Sequence, residues 1–181
     1  MKKTFGTIVS TLAVLVAGVC RAAAQEAPKV GVTFSTGVVV GLHVEASDRV
    51  AVRAQVGVNR NTTKYDGDNF INESTTNTTW TPGASVLFFV RSFDATRIYV
   101  SPQYSYVRNT SSLSESARST GHQLAGMVGA QHRLGSRFAV FAEAGLGWSR
   151  TKNSVTSVLD TSKITSTSFG TRSALGGILF F

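Results

Sequence analysis

Apolar and polar side chains alternate along most of the chain from Lys29 onward, with a period of two residues. In the segment 50–58 every second residue is Val or Ala, and the residues between them are small or polar. Such alternation indicates strands with one apolar face, whereas an amphipathic helix repeats every 3.6 residues. Strands are predicted near 38–47, 50–60, 79–93, 97–109, 120–134, 138–150 and 165–181, with a short first strand at 30–35.

The connections between these strands are of two alternating kinds. Tight turns are predicted at 47–49, 94–96 and 135–137. Long segments rich in Ser, Thr and Asn separate the other strands, at 61–78, 110–120 and 151–166. Short turns at one end and long loops at the other are typical of an up-and-down barrel in a membrane. The pattern therefore predicts an all-β fold, an eight-stranded antiparallel up-and-down transmembrane β-barrel.

The distribution of glycine indicates which face of the strands points inward. One face carries most of the strand glycines, and the opposite face carries Val, Leu, Ala and Phe. The glycines are Gly41, Gly57, Gly83, Gly129, Gly145, Gly147, Gly170 and Gly176. Glycine weakens a strand, so a water-facing surface has no use for it, whereas a narrow barrel interior needs small residues. The apolar face is thus expected to meet lipid, unlike that of a soluble barrel with an apolar interior.

Long polar side chains fall on the same face as the glycines. Two acids among several arginines are too few for a solvent-exposed surface, but they suit a buried network in which each glutamate contacts arginines. The predicted luminal network consists of His43, Glu45, Arg53, Arg91, Arg133, Glu143 and Arg172, and Arg97 lies on the same face. On the apolar face an interfacial aromatic girdle is predicted at Trp80, Tyr104, Tyr106 and Trp148.

The first 24 residues have the pattern of a cleaved signal peptide. Lys2 and Lys3 precede an apolar stretch at 7–19, and an Ala-x-Ala site ends at Ala24. Lipidation at Cys20 is the competing interpretation, although Val19 is a poor residue before a lipidated cysteine. Cleavage after residue 24 would lower the net charge from +8 to +5 and leave a barrel domain at 25–181 without cysteine. That excludes disulfide and thiolate chemistry, and arginines scattered singly argue against a nucleic-acid partner.

The last strand carries the most specific signal in the chain. It ends on an aromatic residue, and Leu175, Leu179 and Phe181 are predicted to face outward. This pattern resembles the C-terminal assembly signal of Gram-negative outer-membrane barrels. Over 25–181 the chain resembles the small outer-membrane β-barrel superfamily, the OmpA/OmpX/OmpW-like class. The resemblance implies a position in the bacterial outer membrane, insertion by the barrel assembly machinery, and contact with outer-membrane lipid and lipopolysaccharide.

Two functions remain open for such a barrel. The first is a structural or surface-binding role, with a plugged polar lumen and extracellular loops at 61–78, 110–120 and 151–166 that bind a surface ligand. Cations in those loops, Lys64, Arg118, Lys152 and Lys163, are then expected to pair with lipopolysaccharide phosphates. The second is a narrow porin-like channel, in which luminal arginines favour anions.

A lipid A-modifying enzyme is the third alternative, because eight-stranded outer-membrane enzymes use a His with a Ser at the outer leaflet. His122 and Ser119 are the candidates, but a catalytic base also needs an orienting group, and Glu115 is the only nearby carboxylate. We therefore predict no catalytic residues. Three dispersed histidines without acids at chelating spacing indicate no metal site, and no cofactor is expected.

Overall fold

A computed structural model of the protein describes residues 29–36, 39–65, 73–111, 118–156 and 161–181. Eight strands pair antiparallel with their neighbours in chain order, and the last pairs with the first to close a barrel, which confirms the predicted fold class. The strands are β1 (Lys29–Ser35), β2 (Val39–Ser47), β3 (Val50–Tyr65), β4 (Glu73–Phe93), β5 (Thr96–Ser111), β6 (Arg118–Arg133), β7 (Phe138–Thr156) and β8 (Thr161–Phe180). The predicted leader and Cys20 lie outside the described residues.

No helix within the described ranges is long and apolar enough to cross a membrane.

Four strands, β3, β4, β7 and β8, continue well into the segments that the sequence predicts as loops, and β5 and β6 do so by two or three residues. β3 and β4, for example, stay paired through Tyr65 and Glu73. Thr-rich pairs sustain this ladder, because β-branched residues suit the extended backbone and threonines hydrogen-bond across strands. The hydroxyls of Thr62 and Thr76 lie 3.1 Å apart. The predicted loops 61–78, 110–120 and 151–166 were therefore wrong in extent, and their tips at 66–72, 112–117 and 157–160 lie outside the described residues.

Three tight connections join strands at one end of the barrel, here called the turn end. The Ser47 hydroxyl accepts hydrogen bonds from the backbone N–H groups of Arg49 and Val50, at 3.3 and 3.1 Å. Asp94 adopts a φ of 41° in the β4–β5 turn, a left-handed conformation that Asp tolerates better than most residues. Leu134–Arg137 forms the third connection. Both Lys29 and Phe181 lie at this end, and the opposite end is called the loop end.

The pleat separates the side chains into an inner and an outer set. On β3 to β8 the outward residues are predominantly apolar or aromatic along a stretch that begins at the turn end. This stretch is nine to eleven residues long, the length that a tilted strand needs to cross a membrane. This stretch, the apolar band, ends at Val58, Trp80, Tyr106, His122, Trp148 and Phe169. The next outward residue on each strand is polar: Arg60, Thr78, Arg108, Thr120, Arg150 and Thr167.

β1 and β2 are much shorter than the strands beside them. β2 pairs with β3 only up to Gly57, and β1 pairs with β8 only up to Gly176. One more bond follows, from the backbone N–H of Thr36 to the carbonyl of Leu175 at 2.9 Å. The β1–β2 hairpin therefore ends below the loop-end parts of β3 and β8.

We expect Val128→Lys to destabilise the barrel in lipid by about 2–4 kcal/mol, because a lysine in the middle of the band must enter hydrocarbon. Val128 faces outward on β6 and is 58 % exposed. Thr120→Lys, outward on the same strand but beyond the band, is the matched control and should change stability by less than about 1 kcal/mol. Urea unfolding in phosphatidylcholine vesicles measures both. Equal effects of the two variants would contradict a lipid-facing band.

Candidate functional site

Glu143 organises one side of the lumen near the turn end. It projects inward from β7 and is 5 % exposed. Arg53 of β3 donates from Nη1 to Glu143 Oε1 at 2.7 Å, and the Tyr99 hydroxyl donates to the same oxygen at 2.7 Å. Gln103 donates to Oε2 at 3.0 Å. Side chains from two other strands, β3 and β5, thus converge on one carboxylate.

Glu45 is the second acidic centre and binds two arginines. It forms salt bridges with Arg97 and with Arg133, whose Nη2 lies 2.9 Å from Glu45 Oε2. Gln131 donates to Glu45 Oε1 at 3.5 Å. His43 is fully buried, and its Nε2 lies 3.7 Å from the same oxygen. The two glutamates, with Arg53, Arg97 and Arg133, are called the ion-pair layer.

Each arginine of the ion-pair layer also lies over an aromatic ring. The guanidinium carbon of Arg53 is 4.2 Å from the ring centroid of Phe141. For Arg97 over Phe89 the distance is 4.0 Å, and for Arg133 over Phe180 it is 5.2 Å. Guanidinium groups are attracted to ring faces, and more strongly where water is excluded. The rings therefore stabilise the face of each cation that the carboxylates do not reach.

Apolar side chains fill the space around this layer. Two buried clusters form, one of Ala51, Leu87, Phe89 and Tyr99, the other of Ala139, Phe141, Ile178 and Phe180. The sequence interpretation stressed small and polar inner residues and missed this apolar filling. The signal was present: these residues have the same parity along their strands as the luminal polar residues. Arg97, which the sequence places on the same face as the predicted network, lies in this layer on Glu45.

Inner glycines make room for the large side chains. A Cβ on Gly129 would meet the ring of Tyr99 within 2.5–2.7 Å. One on Gly176 would collide with the ring of Phe141, and one on Gly147 with the side chain of Arg172. These glycines therefore face inward because any larger residue would clash with the side chains that fill the lumen.

Two members of the predicted network, Arg91 and Arg172, bind neither glutamate of the ion-pair layer. The prediction for Arg91 was wrong: the pairing of β4 with β5 shifts between Phe89 and Arg91, and a bulge reverses which face the following residues present. Arg91 is exposed outside the barrel, its guanidinium carbon 4.6 Å from the centroid of Phe93. Arg172 does face inward, but its recorded partner is Gln123 Oε1, at 2.9 Å from Nη1, and neither glutamate of the ion-pair layer.

The loop-end half of the lumen has a different character. Its described inward side chains are mostly Ser, Thr, Asn, Gln and Gly, and Arg172 lies among them. Many are partly exposed, including Gln55, Ser105 and Ser149, whereas the ion-pair layer carries residues such as Arg53 at 2 % exposure. Among the described residues, the lumen is therefore more exposed in its loop-end half and tightly filled near the turn end.

On the outer face, aromatic and basic residues form successive rows across the strands. Tyr104, Leu124, Trp148 and Phe169 are cross-strand neighbours at the top of the apolar band. The next row holds Tyr106, His122 and Arg150, and the one beyond it Arg108, Thr120 and Lys152. Trp80 pairs with Arg108 and also faces outward. The four predicted girdle residues thus lie beside a patch of cations.

The His122–Ser119 pair of the enzyme alternative does not form. The two lie three positions apart on one strand, so their side chains point to opposite faces of the barrel wall. His122 Nδ1 lies 2.8 Å from the Tyr104 hydroxyl, and its ring packs edge-on against Tyr106 at 5.5 Å. Among the residues with described positions, no three His, Cys, Asp or Glu side chains gather as a metal site would require.

Comparison with known proteins finds similar barrels only at low sequence identity. No protein-family model and no curated protein matches the chain. A major outer membrane protein from Thermus thermophilus is 15 % identical, with a TM-score of 0.47, over 86 % of this chain and 100 % of that one. Acinetobacter baumannii CarO is 11 % identical, with a TM-score of 0.44, over 86 % and 98 % of the two chains. CarO2 of the same organism is 12 % identical, with a TM-score of 0.39, over 87 % and 100 %.

We expect Glu143→Ala to lower the free energy of unfolding by about 3–5 kcal/mol, because it leaves Arg53 buried without its carboxylate. The double variant Arg53→Met/Glu143→Leu removes both charges and should recover most of that loss. Urea unfolding in detergent micelles, followed by the gel shift between boiled and unboiled samples, measures both. A single variant with an unchanged midpoint would contradict the role given to this pair.

Proposed function

We propose that the protein is a structural and surface-binding β-barrel of the bacterial outer membrane, with a lumen closed near the turn end. The observation that carries this proposal is the ion-pair layer together with the rings packed on it. The apolar band supports a membrane position, since a predominantly apolar exterior in a closed barrel suits lipid. Its likeness to the OmpA/OmpX/OmpW class is part of the proposal and rests on the strand number and the final strand.

Closure follows from how the inner layer is built. An eight-stranded barrel has room for its own side chains and little more. Here Arg53 and Tyr99, among the largest of these side chains, are 2 % and 0 % exposed. Both are hydrogen-bonded to Glu143, so opening a water path requires breaking paired charges in a buried layer. The turn end lies in the periplasm and the loop end at the cell surface.

The second candidate function is a narrow anion channel, which the partly exposed polar lumen at the loop end favours. The two functions differ in one respect: in a channel, ions must pass the ion-pair layer, whereas in the first proposal that layer is closed. Conductance therefore separates the two functions.

In a planar bilayer we expect the folded wild-type protein to show no conductance steps. Arg53→Ser/Glu143→Ser removes a complete ion pair and leaves no orphaned charge, so this variant should show discrete steps. Val128→Ala, altered only on the outer face, is the control and should remain silent. Each sample is checked for folding by its shift on heating. Reproducible steps from the wild type would instead favour the channel.

The cations beyond the apolar band suit the phosphates of lipopolysaccharide. Arg108 and Lys152 flank Thr120 in one row, and Arg150 lies in the row below. Neighbouring strands are about 4.8 Å apart, so these three side chains can reach one phosphate group together. No salt bridge joins them to an acid in the described part of the chain. Lys64 and Lys163 extend the basic rim on β3 and β8, and Arg118 was also predicted there.

We expect Arg108→Gln/Arg150→Gln/Lys152→Gln to bind lipid A roughly a hundredfold more weakly at low salt, at about 1 kcal/mol per cation. Arg49→Gln/Arg137→Gln removes cations at the turn end and is the matched control. Calorimetric titration of detergent-solubilised protein with lipid A provides the affinity, and dephosphorylated lipid A tests the role of phosphate. Equal affinity of the triple variant and the control would refute this contact.

The final strand keeps its proposed role as the assembly signal. Leu175 and Leu179 face outward on β8, at 61 % and 45 % exposure. Phe181 is 79 % exposed, and its backbone N–H donates to the Val30 carbonyl at 3.0 Å. An exposed apolar strand end is accessible to the barrel assembly machinery. A further surface ligand for the loop tips remains part of the proposal.

A further inference from the structure

Among the described residues, the wall of the barrel is interrupted at the loop end. Above the short hairpin, β3 from Val58 to Lys64 has a partner strand only in β4, and β8 from Lys163 to Ala174 only in β7. No ladder among the described residues joins the two free edges. Because strands lie about 4.8 Å apart, the hairpin holds these edges about 14 Å apart at its tip. We call this interruption the β3–β8 gap.

Part of the gap lies within the apolar band. On the β8 side the hairpin reaches Leu175, whereas the band continues to Phe169. The edge over 169–174 that faces the gap therefore presents backbone groups at membrane depth that have no ladder partner among the described residues. Such groups are unfavourable against hydrocarbon and are tolerated where they line a polar or water-filled space. Here the outward residues Thr171 and Ser173 are hydroxylated, unlike the aliphatic residues at matching positions on β7.

Gly170 shows that the gap is open on its inner side. It faces inward on β8, yet a Cβ built there meets no atom within 4 Å. At Gly57, Gly121 and Gly147, which also face inward, a Cβ meets a neighbour within 3.2 Å. Gly170 therefore borders free space where the wall is missing.

A cation without a carboxylate partner lies on the strand that forms this edge. Arg172 is two residues from Gly170, faces the lumen and is partly exposed. The aliphatic part of its side chain passes over Gly147, so that Nη1 donates to Gln123 Oε1. The same oxygen accepts a hydrogen bond from the Ser105 hydroxyl at 3.2 Å. The arginines of the ion-pair layer each have a glutamate. A neutral amide is a weaker partner for a guanidinium than a carboxylate or a phosphate.

We propose that the β3–β8 gap is a lateral entrance from the outer leaflet, through which an amphiphile with an anionic head group places that head group on Arg172. Its acyl chain lies in the gap, along the free edge of β8. The amide N–H of Gln123 and the hydroxyl of Ser105 donate hydrogen bonds to the head group, while the ion-pair layer below remains closed. This inference rests on the membrane position proposed above, which Val128→Lys tests separately.

The experiment uses the folded barrel in phosphatidylcholine nanodiscs with a diazirine-labelled palmitic acid as the probe. After illumination, mass spectrometry locates the cross-links and measures their saturation. In the wild type we expect saturable cross-links within 168–176 and 55–61. Arg172→Gln should bind the probe about tenfold more weakly, because it loses one charge-assisted hydrogen bond. Arg172→Lys should retain part of the binding. Arg91→Gln, which removes an exposed cation on the outside of the barrel near the turn end, is the control.

Gly170→Trp tests the entrance itself, because a Cβ at Gly170 meets no atom within 4 Å and a large side chain there extends into this open space. It should abolish cross-links in the gap, while Gly126→Trp, at an outward position that is equally open, should not. Labelling spread evenly around the barrel, or equal labelling by the methyl ester, would overturn the proposal. Competition by inorganic phosphate as strong as that by palmitate would also overturn it, because the anion would then enter from the aqueous mouth. Folding of each variant is verified by its heat shift.

Discussion

Three arginines packed into a narrow barrel set the condition on which the turn-end half of this structure depends. The strands bury Arg53 almost completely and Arg97 and Arg133 in large part, at 2 %, 14 % and 29 % side-chain exposure, so each needs a compensating charge and close contact over its planar surface. Glu143 and Glu45 supply the charge, and Phe141, Phe89 and Phe180 supply the contact. A buried ion pair is worth little compared with apolar packing, but breaking one is strongly unfavourable. The layer is therefore best understood as a device that holds one arrangement of eight strands.

The two halves of the lumen differ because the inner residues change along the strands. Near the turn end they are large, charged or aromatic, and near the loop end mostly small and neutral. The outer face changes too, from aliphatic residues through an aromatic row to cations. The inner and outer residues change at similar heights along the strands. The tightly filled part of the lumen therefore lies within the apolar band, and the more exposed part extends to the basic rim. That arrangement supports the proposed interaction at the cell surface over the passage of ions along the lumen.

Strand number, strand direction and the inner face could be predicted from the sequence, because a period of two residues and the placement of glycine need no knowledge of tertiary contacts. Arg91 could not, since one bulge reverses the inward and outward sets and leaves no mark in the composition. The loop-end strand extensions were missed because Ser, Thr and Asn suit both loops and paired strands. For Arg172 the alternation of residues along the last strand correctly predicted that its side chain faces the lumen. Its partner depended on distances across β7, which only the folded structure provides.

The short first hairpin connects barrel closure with the lateral gap. The β1–β8 seam contains five paired positions, Gly31–Ser35 with Gly176–Phe180. Ile178 and Phe180 face inward from this seam, and Phe180 packs edge-on against His43 of β2 at 5.9 Å between ring centroids. Packing against the ion-pair layer thus compensates for a short ladder, and closure at the turn end does not require long strands β1 and β2. Because closure is secured there, the wall can stay interrupted above the hairpin, where Arg172 faces the open half of the lumen.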